Sequence, residues 1–117
     1  MVVDQLSDAD VDRIFHALAD STRRDILALA VGGAYCVSAL AERYPMSFAA
    51  VQKHVSVLED AGLITKERRG RERLVRTDVD TVQRARVLLD GIEALWLARV
   101  DRIDDLLATE RQTNGGK

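Results

Sequence analysis

The chain has 117 residues, 47% of them hydrophobic and 31% charged, with a formal charge of −2 at pH 7 and a single cysteine. That is enough apolar matter for one domain to bury about two-thirds of the surface its unfolded form exposes, which excludes a disordered chain. No apolar run approaches the roughly 18–20 residues of a membrane span, Met1-Val2-Val3-Asp4 lacks the character of a signal peptide, and a lone Cys36 forms no internal disulfide. The expected setting is the reducing cytoplasm, with no membrane partner.

One proline, 4% aromatic residues and long apolar periodicities favour a mainly α fold with a small β-hairpin, read as five helices in a single domain over 1–117. Ser7-Asp8-Ala9-Asp10 gives the first helix, 8–20, a cap and first-turn acids, and Val11, Ile14, Phe15 and Leu18 give it an apolar stripe. Ser21 is expected to cap the second, with Arg23 and Arg24 near its start, Ile26, Leu27, Leu29 and Ala30 facing inward and Gly32-Gly33 as its stop. Ala34-Tyr35-Cys36 reads as extended. Val37 to Tyr44 carries Val37, Leu40 and Ala41 at helical spacing before Pro45 forces a turn.

The fourth helix is the most informative stretch. Ser47 is a good N-cap, and Gly62, just past Ala61, supplies the left-handed conformation that ends a helix. Val51, Val55 and Leu58, flanked by Ala50 and Val57, form the buried side, which leaves Ala49, Gln52, Lys53 and Ser56 in a row pointing away. Such a small, polar, weakly charged face suits a DNA major groove better than bulk water, where Lys and Glu would dominate. Third helix, turn and fourth helix form a helix-turn-helix. Leu63-Ile64-Thr65 and Leu74-Val75, flanking a turn at Arg69-Gly70-Arg71, add a wing, so that 34–77 is the DNA-binding part.

Charge supports that assignment. Between Pro45 and Thr77 seven basic residues (Lys53, Lys66, Arg68, Arg69, Arg71, Arg73 and Arg76) stand against four acidic ones, a local excess of +3 that leaves −5 on the rest of the chain. A basic edge on an acidic body is the electrostatic footprint of a DNA binder. In the division of roles, Ser47, Phe48, Ala49, Gln52, Lys53 and Ser56 approach base edges. Gln52 can pair with adenine, Lys53 can reach guanine or phosphate, and Phe48 or Ala49 can touch a thymine methyl. Arg69, Arg71 and Arg73, with Lys66 and Arg68 behind them, bind phosphate or enter the minor groove. His54 touches either the DNA backbone or a neighbouring helix.

From 80 to 112 a single long helix is expected. Ala85, Leu89, Ile92, Trp96, Val100, Ile103 and Leu107 recur every three or four residues, a stripe too long for one small domain to cover, so a second copy is the expected partner. Leu89, Ile92, Trp96, Val100, Ile103 and Leu107, with Val11 and Phe15 of the first helix, form the candidate seam. Gly91 inside this helix costs about 1 kcal/mol relative to alanine and signals either a close backbone approach or a slight bend.

Other chemistry finds little support. There is no glycine-rich phosphate loop, no Gly-x-Ser-x-Gly elbow and no His-Glu-x-x-His pair, so catalysis is not expected. Asp8, Asp10 and Asp12 mimic the start of a calcium loop, but Arg13 and Ala19 occupy its required glycine and glutamate positions. His16 has no ligand partner nearby in sequence. Cys36 is a small buried hydrophobe or, if its thiolate were stabilised, a redox sensor. A winged helix used purely for protein assembly remains the alternative class, and it has no need of a basic wing.

Ala17-Leu18-Ala19-Asp20-Ser21-Thr22-Arg23-Arg24-Asp25-Ile26-Leu27, Val51-Gln52-Lys53-His54-Val55 and Leu58-Glu59-Asp60-Ala61-Gly62-Leu63-Ile64 resemble, in order and spacing, the ArsR/SmtB family of bacterial winged-helix transcription regulators. The resemblance implies a homodimer built on the first and last helices that binds an inverted-repeat operator, an imperfect palindrome of double-stranded DNA, and represses transcription until an inducer loosens it. It also implies metal sites that this chain lacks. Where the family motif reads Glu-Leu-Cys-Val-Cys-Asp-Leu, the chain has Ala34-Tyr35-Cys36-Val37-Ser38-Ala39-Leu40, and one thiolate cannot hold a soft metal tightly. The Asp/His site of the last helix is missing too, because no histidine follows His54. No metal or cofactor is therefore expected, and a small-molecule inducer, a redox signal or no ligand at all is left.

Overall fold

The computed structural model describes residues 6–115, with side chains through Glu110; residues 1–5 and 116–117, and with them the N-terminal stretch read for a signal peptide, lie outside that description. The elements run α1 (Asp8–Leu18), α2 (Ser21–Val31), β1 (Tyr35–Cys36), α3 (Val37–Ala41), α4 (Phe48–Asp60), β2 (Ile64–Arg69), β3 (Glu72–Thr77) and α5 (Val79–Gly115). Their contacts divide into two units, residues up to Ala85 and residues from Arg86 onward.

In the first unit, helix ends are set by local chemistry. Ser7 and Asp10 form a full capping box at α1: the Ser7 hydroxyl accepts from the Asp10 amide at 3.1 Å, and the Asp10 carboxylate accepts from the Ser7 amide at 3.3 Å. Those bonds, with Arg13 at 2.6 Å, hold the Asp10 carboxyl below its ordinary pKa. The cap of α2 is Asp20 rather than Ser21: its carboxylate accepts from the Arg23 amide at 3.0 Å, and Ser21 is the first helical residue. An acceptor three residues before an amide caps it whichever of two adjacent candidates supplies it, and Asp20 wins because α1 already stops at Leu18, two residues short of expectation.

The third helix is also shorter than expected, five residues to Ala41, and Tyr44 lies in the turn, where its hydroxyl donates to Asp25 at 2.5 Å. Burial and that carboxylate push the Tyr44 hydroxyl pKa up. Tyr35-Cys36 is extended as expected, and it also adds a third strand: β1 pairs antiparallel with β3, giving the order β1-β3-β2. Leu63 precedes the wing strand instead of opening it.

The core gathers Ile14, Ala17, Ile26, Leu40, Val51, Val55, Leu58, Leu63, Ile64 and Val75. Phe15 and the half-buried Val11 and Leu18 lie at its edge on α1, while Leu27 and Leu29 pack against it without full burial. Ala85, placed by its spacing on the dimer stripe, is 7% exposed and belongs to this core, as does Thr81 of the same helix. Asp78 starts α5 by accepting from the Thr81 amide at 3.3 Å.

The second unit is the rest of α5. Every described side chain from Arg86 to Glu110 is exposed except Val100, which is half-buried, and Leu89, Ile92, Leu95, Trp96, Leu97, Ile103, Leu106 and Leu107 are among the exposed apolar ones. Among the described residues no helix is long and apolar enough to cross a membrane. A Cβ at Gly91 would meet nothing within 4 Å, so of the two readings of this position, close approach or slight bend, the first has no partner among the described residues. Gly91→Ala is therefore expected to raise the helical stability of this segment by about 0.5–1 kcal/mol. Circular dichroism on melting would record this as a higher midpoint, and a lowered midpoint would mean that a backbone from outside the chain occupies the space.

Candidate nucleic-acid interface

Helix α4 starts where Ser47 places its hydroxyl 3.1 Å from the Ala50 amide. It ends in a complete Schellman motif. The Leu63 amide donates to the Leu58 carbonyl at 3.0 Å, the Gly62 amide donates to Glu59 at 2.9 Å, and Gly62 has φ +76°. Leu58 and Leu63, both fully buried, belong to the same apolar core, the positions whose contact commonly accompanies such an end. The left-handed Gly62 thus turns the chain from the helix straight into the wing.

With Val51, Val55 and Leu58 buried, the row pointing away carries Ala49, Gln52 and Lys53, all exposed, and Ser56, half-buried, while the exposed Phe48 begins the helix at the edge of the buried side. Phe48 is 48% exposed at the first turn, costly for a phenyl ring in water and useful against a thymine methyl. The Ser47 hydroxyl is occupied by its cap, so it is a structural member of the row before it is a reader.

The wing is a two-residue hairpin. Arg69 faces Glu72 across the strands, the turn is Gly70-Arg71, and Gly70 sits at φ +61° while Arg71 has no positive φ, which fits a type II′ connection and not a type I′. Period-two alternation sorts its charges. On one face Arg69 has Glu72 opposite, and Glu67 reaches Arg76 at 3.6 Å, so the face is compensated. On the other face Arg68 lies directly opposite Arg73, a like-charge pair that weakens a hairpin unless an anion sits over it. Arg68, Arg71 and Arg73, all exposed, are the wing cations that face no carboxylate across the strands among the described residues. Lys66 is different: it is half-buried and pairs with Glu59 of α4 at 3.5 Å, fixing the wing's base to the helix.

His54, for which sequence left two partners open, contacts the neighbouring helix. Its Nδ1 lies 3.2 Å from Nη1 of Arg23 and 3.8 Å from the Asp20 carboxylate. Arg23, read from the sequence only as a cation near the start of α2, thereby joins the site; a partner 31 positions away leaves no local trace. Cys36 is half-buried at the start of the five-residue α3. Among the described residues no cluster of three or more His, Cys, Asp or Glu side chains is placed to hold a metal.

Comparison with known proteins agrees with this architecture. Residues 20–66 match the family described as bacterial regulatory protein, arsR family. The chain is 45% identical over 71 residues to the uncharacterized HTH-type transcriptional regulator YuzN of Bacillus subtilis, covering 55% of this chain and 77% of that protein. It is 33% identical over 60 residues to the transcriptional repressor SdpR of Bacillus subtilis, covering 51% of this chain and 67% of that one. Among solved structures, an ArsR-like transcriptional regulator from Rhodococcus sp. RHA1 superposes with a TM-score of 0.75 at 32% identity, over 84% of this chain and 92% of that chain.

Proposed function

The chain belongs to the arsR family of bacterial regulatory proteins, and from that premise we propose that it is a homodimeric repressor that reads an imperfect inverted repeat in double-stranded DNA. The observation that carries this reading is the exposed row Ala49, Gln52 and Lys53, with Phe48 exposed at the start of the same helix, beside a hairpin whose Arg68, Arg71 and Arg73 lack cross-strand carboxylates. Two such helices related by a two-fold axis would read half-sites about one turn of DNA apart. The second copy would cover the apolar stripe of α5, with Val11 and Phe15 of α1 sharing the seam. Repression is carried over from the likeness to SdpR. The protein would work in the cytoplasm, where its DNA is, and the reduction of the family's thiolate motif to Cys36 leaves a small molecule, a redox signal or no ligand in place of a metal.

Gln52→Ala and Arg71→Ala separate the two roles. Gln52→Ala should narrow the gap between operator and scrambled DNA by about 1–3 kcal/mol, the value of one bidentate base contact. Arg71→Ala should weaken binding to both and reduce the salt slope by about one unit per protomer. Titrations of both variants at several salt concentrations would check this, and equal loss of specificity in the two would refute the division.

A further inference from the structure

Arg23 ties the end of α1 to the middle of α4. Its Nε–H donates to the Ala17 carbonyl at 2.8 Å, its Nη2 to the His16 carbonyl at 3.0 Å, and its Nη1 to Nδ1 of His54 at 3.2 Å. A guanidinium carries donors only and keeps its charge at any working pH, so the nitrogen facing it must offer a lone pair. For this contact to be a hydrogen bond, Nδ1 must be the acceptor, which is the tautomer that carries its proton on Nε2. Asp20, whose carboxylate is 3.8 Å from the same Nδ1, accepts from the Arg23 amide at 3.0 Å and so anchors the backbone from which the guanidinium reaches.

We propose that Arg23 is a positioning residue for DNA reading. By holding His54 through Nδ1 it sets the seat of α4, on which Gln52, Lys53 and Ser56 lie within two residues of His54, and it leaves Nε2–H as a donor for a DNA phosphate. This rests on the DNA-reading function proposed above. A hydrogen bond to a charged group, aligned by two further bonds to fixed carbonyls, confines the ring more tightly than apolar packing alone. Losing it is expected to change the helix's orientation more than its existence, because Val51, Val55 and Leu58 still bury the opposite side of α4.

The experiment pairs an NMR measurement with a binding measurement. In the full-length wild type, imidazole ¹⁵N shifts of His54 should show an unprotonated Nδ1 and a protonated Nε2, and in Arg23→Gln the two tautomers should mix. The same variant should lose on the order of tenfold in affinity for operator DNA, with a smaller loss on scrambled DNA. His54→Asn keeps an acceptor where Nδ1 stands, and His54→Gln keeps polarity only near Nε2. A double-mutant cycle with Arg23→Gln should therefore be near additive for His54→Asn, which keeps the interaction, and show coupling for His54→Gln, which loses it. An unchanged His54 ¹⁵N pattern in folded Arg23→Gln, or an unchanged ratio of operator to scrambled binding, would overturn the proposal. The shifts are read on the free protein, so they test the Arg23–His54 junction even if the wild type shows no preference for the operator, an outcome that would count against the DNA reading itself.

Discussion

Ile92→Asp is expected to abolish dimerisation and operator binding together while leaving the protomer folded. Ile92 is 57% exposed, so a polar side chain there costs the isolated chain little, within about 0.5 kcal/mol. In a two-fold seam the same change is made twice, and each carboxylate would be taken out of water among Leu89, Trp96 and the partner's stripe. An unpaired charge in such a place costs several kcal/mol. The dimer dissociation constant should rise by at least about a hundredfold, since each 1.4 kcal/mol is a factor of ten. Sedimentation would show a monomer at concentrations where the wild type is a dimer, and circular dichroism would show the helical content retained. A monomeric variant that still bound the operator at full affinity would remove the dimer from the account.

Leu58→Ala should be the most damaging single change in the first unit. Leu58 is fully buried on the inner side of α4, and its carbonyl accepts the Leu63 amide that closes the Schellman motif. Truncation removes the transfer energy of the lost methyl and methylene groups and leaves a cavity in the core it shares with Leu63, together worth about 2–5 kcal/mol. A domain of this size has about 5–15 kcal/mol in total, so a large fraction of its stability would go. Urea unfolding should show a lower midpoint with an unchanged slope. A loss under about 1 kcal/mol would mean that the burial of Leu58 does not organise the junction of helix and wing.

Where a residue answers a local demand, sequence alone was enough. Ser47 caps because an amide three positions on needs an acceptor, Gly62 and Gly70 occupy positive φ because a side chain would be strained there, and Val51, Val55 and Leu58 follow from helical period. Those features specify the reading helix and the wing turn almost completely. Long-range partners left no such mark. The pairing of Tyr35 and Cys36 with Val75 and Leu74 joins strands nearly forty positions apart, and a two-residue strand has no alternation to betray it. Arg23 with His54 and Lys66 with Glu59 are likewise set by packing, as is the burial of Ala85, whose period suits both the core and the stripe. The choice of Asp20 over Ser21 as cap turned on the exact end of α1, which spacing does not resolve.

The division of the wing's charges has the same origin. Counting arginines gave a basic hairpin, but only the register, with Arg68 opposite Arg73 and Arg69 opposite Glu72, separates the cations that face a carboxylate across the strands from those that do not. Lys66, counted with the wing, is held by Glu59 and contributes to the placement of the hairpin.

The measurement that bears most directly on the central claim is a fluorescence anisotropy titration of the protein against the DNA upstream of its own gene and a scrambled duplex of equal length, at two salt concentrations. A reading helix seated beside a cationic wing predicts binding at least about a hundredfold tighter to the native fragment, with salt weakening both complexes. Equal affinity for the two duplexes at both salt concentrations would contradict the assignment of Gln52, Lys53 and their neighbours as readers of that sequence.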